Sequence, residues 1–159
     1  MYDRRQLQEA YGEWLDTFEW HLFTTLTFRK TPSSRTSINH FRRFARHLER
    51  LAPGGIGYFV GSETGGDYGR EHLHALIRVA PDPNSDCIHS HGERVHSLIH
   101  PSWKWWFNAY GRALILPFER DKGATHYVTK YVTKTLADWD IGGNLADYVR
   151  KPETNRTST

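Results

Sequence analysis

Apolar positions in this chain change period from segment to segment, and each change marks an element. Leu7, Ala10, Tyr11, Trp14, Leu15 and Phe18 recur at helical spacing, with Asp3 placed to cap the helix. His21 to Phe28 is rich in β-branched and aromatic residues and predicts a strand. After a Pro/Ser loop at Thr31 to Ser34, the stripe Ile38, Phe41, Phe44, Ala45, Leu48 and Leu51 predicts a second amphipathic helix, ended by Pro53-Gly54-Gly55. Gly57 to Glu63 and Glu71 to Val79 predict two strands of a hairpin, joined by the turn-rich Thr64 to Gly69. Ala80 to Ile99 is polar and reads as a loop, followed by a helix from Pro101 carrying Trp103, Trp106, Phe107 and Tyr110. Arg112 to Phe118 predicts a further strand and Gly123 to Leu136 a last core helix.

The resulting order, α-β-α-β-β-α-β-α, is hairpin-rich with helices laid on a sheet. It predicts an α+β fold rather than a doubly wound parallel sheet. At 159 residues one domain over 1–150 is expected, with an N-terminal helix in 1–20, a core in 21–136 and a disordered polar tail at 151–159. No apolar run reaches the length of a membrane span and no signal-peptide core is seen, so no membrane partner is expected. Cys87 is the only cysteine, which rules out an internal disulfide and leaves an intracellular, cytoplasmic setting as the default.

The net charge of +3 permits a nucleic-acid partner, and its distribution says more than its total. Arg29, Lys30, Arg35, Arg42, Arg43, Arg46 and Arg50 crowd one early segment, either as a phosphate footprint or as a solvated helix face. The DNA-contact candidates are Arg29, Lys30, Arg42, Arg43, Arg46 and Arg70, with Trp105 as an exposed stacking residue beside Trp103 and Trp106 on the buried stripe.

The densest chemistry lies in His72-Leu73-His74. On a strand, residues two apart share a face, so both imidazoles leave the sheet together while Leu73 enters the other side. Glu63, on the neighbouring strand of the hairpin, supplies an oxygen ligand for a divalent metal; Glu71 faces away. Three ligands leave positions open for water and a phosphate oxygen. Tyr127-Val-Thr-Lys130-Tyr131-Val-Thr-Lys134 is one four-residue unit written twice. On a helix the two phenols stand one turn apart, with Lys134 on their stripe and Lys130 at its border. A phenol attacks a phosphodiester when a metal polarises the phosphate and nearby cations favour phenolate. Cys87, His89, His91, His96 and His100 crowd one segment, but their spacings match no common closed zinc site, and a surface loop is the simpler reading.

Phe23 to Phe28, Glu63 with His72-Leu73-His74, and the doubled Tyr-Val-Thr-Lys resemble, in that order, the three motifs of the HUH endonucleases. The doubled tyrosine unit most resembles rolling-circle replication initiators (Rep proteins) of small phages, viruses and plasmids. The resemblance implies a ferredoxin-like, RRM-like HUH nuclease fold with a central antiparallel sheet of four to five strands. It implies Mn²⁺ or Mg²⁺ held by Glu63, His72 and His74, and attack by Tyr127 or Tyr131 on single-stranded DNA at a replication origin in a host cytoplasm. The attack would leave a 5′-phosphotyrosine and a free 3′-OH for a polymerase. No Gly-x-x-x-x-Gly-Lys-Ser/Thr loop is present, so either a host helicase is recruited or this is the nuclease portion of a longer protein. The rivals are a single-tyrosine HUH transposase or relaxase and, from another class, a non-catalytic ferredoxin-like module that binds single-stranded nucleic acid.

Overall fold

A computed structural model describes residues 3–65, 69–85, 89–126, 128–129 and 138–145. Three helices, α1 (Arg4–Asp16), α2 (Ser34–Leu51) and α3 (His89–Ala109), alternate with five strands. The strands are β1 (Leu22–Thr27), β2 (Ile56–Gly65), β3 (Arg70–Val79), β4 (Ala113–Pro117) and β5 (Trp139–Gly143). They form one open sheet in the order β4-β1-β3-β2-β5, every neighbouring pair antiparallel. The unit β1-α2-β2-β3-α3-β4 with that strand order is ferredoxin-like, so the α+β expectation holds.

Strand alternation divides the sheet into two chemically different faces. Leu22, Leu26, Leu73, Ala75, Ile77 and Val79 point to one side, where Ile38, Phe41, Phe44 and Leu48 of α2 and Trp106 of α3 close a large core. Ser33 starts α2 by accepting from the Thr36 N–H at 3.2 Å. The other face carries Phe59 and Leu76, covered by Leu15 of α1, Trp20, Val128 and Leu145 in a smaller cluster. This second core covers only part of its face, and the polar residues of interest occupy the remainder.

Four sequence expectations are corrected. Helix α3 begins at His89, so much of the segment expected as loop is helical and Pro101 lies inside the helix. Val95, Leu98, Ser102 and Trp106 bury at helical spacing there, a stripe masked in sequence by the polar residues between them. Trp103, expected in the core, is exposed, whereas Trp105, expected exposed, is half-buried and stacked on His47 with 5.0 Å between ring centroids. Leu7 and Leu51, at the ends of their stripes, stay exposed.

Strand β5 is an element the sequence order lacked. It pairs with β2, laying Trp139 on Phe59 at 5.9 Å and bringing Asp140 to the Tyr58 hydroxyl at 3.0 Å. Its glycines are required by close packing. A Cβ on Gly142 would run into the Tyr58 ring, and Gly143 sits at φ +63° against the Ile56 carbonyl. Of the expected last helix, residues 124–126 and 128–129 are helical. Its other positions, Cys87 and the 151–159 tail lie outside the described residues.

Candidate metal centre

The β2–β3 hairpin sets Glu63 directly opposite His72, and Gly61 opposite His74. On its other side β3 pairs with β1, which puts Thr25 opposite His74 and Thr27 opposite His72. Glu63, His72, His74 and Thr25 therefore share the partly covered face. Glu71 has the opposite parity, as expected; it is buried and accepts from Ser37 at 3.0 Å and Thr64 at 2.6 Å.

His74 is the centre of this group and is only 4 % exposed. Its Nε2 lies 3.2 Å from Glu63 Oε2, and its Nδ1 lies 3.2 Å from the Thr25 hydroxyl. Burial lowers the His74 pKa, the Glu63 carboxylate opposes that shift, and His72 pushes it down further. A neutral imidazole is the form a metal needs. Two ligands at about 2.1 Å from one ion, at right to tetrahedral angles, are roughly 3.0–3.4 Å apart. The Glu63–His74 spacing fits that figure. Among the described residues, however, no three His, Cys, Asp or Glu side chains converge into a ligand set. The structure thus brings Glu63 and His74 together and leaves His72 beside them on the same face, in register with Glu63.

A second imidazole pair shows why spacing alone is insufficient. His21 Nε2 lies 3.4 Å from His91 Nε2 and 3.6 Å from Glu19. Yet His21 Nδ1 accepts the Val79 N–H at 2.9 Å, and a backbone N–H can only donate. The proton of neutral His21 must then sit on Nε2, where it blocks a metal. Thr25 imposes no such lock on His74, because a hydroxyl either donates to Nδ1 or accepts from it. His74 can release Nε2 to a cation; His21 cannot.

Tyr127, Lys130, Tyr131 and Lys134 lie outside the described residues. Their neighbours are well defined. Val128 is fully buried in the cluster with Leu76 and Phe59, on the face that carries His74. Just before Tyr127 in sequence, the Thr125 hydroxyl donates to Asp16 of α1 at 2.6 Å, and His126 stands 3.7 Å from the same carboxylate. Gly12 makes this docking possible, since a Cβ there would collide with the His126 imidazole.

The basic candidates are scattered. Arg42 is bound to Asp140 at 2.9 Å, which ties α2 to β5. Arg29 donates to the carbonyls of Phe107 at 2.6 Å and Asn108 at 3.0 Å, closing the end of α3. Arg43 and Arg46 are exposed on α2, across the sheet from His74. Lys30 is exposed beyond the end of β1. Arg70 is exposed and shares the parity of His72 and His74, so it alone of the arginine candidates lies on their face. Sequence reasoning missed Thr25, Gly12 and Asp16 as organisers; the alternation of β1 was the available signal for Thr25.

Residues 21–136 match the family model of the ORF2-type replication-associated proteins. No curated protein and no solved structure matches the chain. Among the described residues no helix is long and apolar enough to cross a membrane. The match leaves out α1 and β5, the two elements added around the ferredoxin-like unit.

Proposed function

Because the chain belongs to the ORF2-type replication-associated protein family, we propose that it starts rolling-circle replication as an HUH-type enzyme, nicking and rejoining single-stranded DNA through tyrosine. The observation that carries this reading is the Glu63–His74 pair at 3.2 Å, with His72 alongside, on a sheet face that also receives the segment bearing the doubled tyrosine unit.

Glu63 and His74, joined by His72, would hold Mn²⁺ or Mg²⁺; the bound cation supplies Lewis-acid polarisation of the scissile phosphate. Thr25 holds the His74 ring and accepts its Nδ1–H when Nε2 is engaged. The hydroxyl of Tyr127 or Tyr131 loses its proton, and its oxygen bonds to phosphorus as the P–O3′ bond breaks. The 3′ oxygen takes up a proton and leaves as a 3′-OH that a polymerase extends. Lys130 and Lys134 favour the phenolate and balance charge on the leaving oxygen. The product is a 5′-phosphotyrosine of energy similar to the bond broken, so the second tyrosine or the 3′-OH can reverse the exchange. A host helicase and polymerase would complete the replication cycle.

The test is a labelled, origin-like single strand incubated with Mn²⁺ and run on a denaturing gel. A covalent adduct that EDTA prevents is expected, retained in part by Tyr127→Phe or Tyr131→Phe and abolished in the double variant. An undiminished adduct in the double variant removes tyrosine from the mechanism; no adduct under any condition leaves a binding module.

A further inference from the structure

A cavity of about 410 Å³ opens beside the metal pair, between the β1–β4 edge and residues 119–124. Phe23 and Leu116 give it an apolar lining, Thr25 forms the wall toward His74, and Glu119 and Lys122 stand among its polar groups. We infer that it is a nucleobase subsite, receiving one base turned out of the single strand next to the phosphate held at Glu63 and His74. The inference rests on the nuclease reading above and names what its substrate does one strand away from the metal pair.

Three observations select this ligand. The volume lies within the range of small-molecule sites and is ample for a base. The lining is amphiphilic in the way a base is, with apolar surface for ring faces and one donor and one acceptor for the ring edge. Glu119 and Lys122 hold each other at 2.9 Å, but both are largely exposed, so the pair is weak and opens at little cost. Freed, Glu119 accepts from a ring or exocyclic N–H, and Lys122 donates to a carbonyl or ring nitrogen. Position adds the third observation. Thr25 lies on the strand next to His74, about 4.8 Å away across the sheet, so a base at Thr25 and a phosphate at His74 belong to the same stretch of strand.

The test uses two probes about twelve nucleotides long, an oligothymidylate and its fully abasic analogue, with affinities read by fluorescence anisotropy in EDTA. Leu116 is 43 % exposed on an edge strand, so Leu116→Trp can fill the cavity from its rim without opening the core. Leu116→Phe is the smaller filling variant, and thermal melts check the folding of both. Wild type should bind the base-bearing probe roughly ten-fold more tightly than the abasic one. In a folded filling variant that ratio should fall by about three-fold or more, with abasic affinity unchanged. A smaller fall, or equal losses on both probes, overturns the subsite. Adduct formation with Mn²⁺ is scored separately. Adducts with an unmoved ratio refute the subsite alone, whereas a moved ratio without adducts in wild type refutes the nuclease reading.

Discussion

Thr25 decides whether His74 is a ligand or merely a hydrogen-bonded core histidine. Its hydroxyl satisfies Nδ1 in either tautomer, which lets Nε2 turn from Glu63 to a cation without stranding a buried polar atom. Thr25→Val keeps the shape and removes that partner. Manganese affinity, measured by titration calorimetry, should fall roughly 10- to 100-fold, while Thr25→Ser retains it; an unchanged affinity in the valine variant would show that Thr25 does not orient the ring. His21 is the contrasting residue, fixed by the Val79 N–H and lowered in pKa chiefly by burial. Its folded pKa lies below the unfolded value near 6.5, so its contribution to stability is complete above pH 6.5 and is lost as pH falls through the folded value. His21→Asn keeps an acceptor near Nδ1 and cannot titrate. Urea midpoints should decline less between pH 7 and pH 5 in this variant than in wild type, and equal declines would refute the assignment. The ligand candidates were legible because strand parity alone puts His72 and His74 on one face. Thr25 was not, because periodicity does not say which strand lies next to which.

Helix α1 acts on the element that follows Ala124. It covers the smaller core with Leu15 and reaches the segment just before Tyr127 through Asp16 and the open surface at Gly12. Gly12→Ala would force His126 away, at a cost of about 1–3 kcal/mol for overpacking. Urea denaturation should record that loss, and adduct formation should slow with it. His126→Ala in the same chain removes the collision and should restore most of both. A double variant no better than Gly12→Ala would show that the two elements do not meet in this way. The same packing explains which elements the sequence revealed. α1, α2 and the β2–β3 hairpin carry their own periods and turn residues, and each was legible. The first half of α3 buries a stripe of only Val95, Leu98 and Ser102 among charged and histidine positions, too sparse to register against a polar background. β5 is held by tertiary partners, with Trp139 on Phe59 and Asp140 between Tyr58 and Arg42, and nothing in its five residues announces a strand.

Across the whole molecule, the sheet separates positive charge into two populations. The arginine-rich helix that suggested a phosphate footprint packs on the far face. Arg42 is already paired with Asp140 there, and Arg43 and Arg46 face solvent beyond the helix. A helix layer about 10 Å thick plus the sheet lies between those two charges and His74. The screening length at physiological salt is about 8 Å, so their field at the site is largely lost. Arg70 is different, since it begins β3 on the ligand face and nothing lies between it and the metal pair but one turn of the strand's alternation. A strand of DNA crossing that face should therefore count Arg70 and ignore Arg43 and Arg46. For single-stranded DNA each phosphate contact contributes about 0.7 to the slope of log affinity against log salt. Arg70→Gln should reduce that slope by about one such increment, whereas Arg43→Gln with Arg46→Gln should leave it as in wild type. The reverse result, a slope that drops only when the α2 arginines are removed, would put the DNA on the helical face and separate binding from the Glu63–His74 pair altogether.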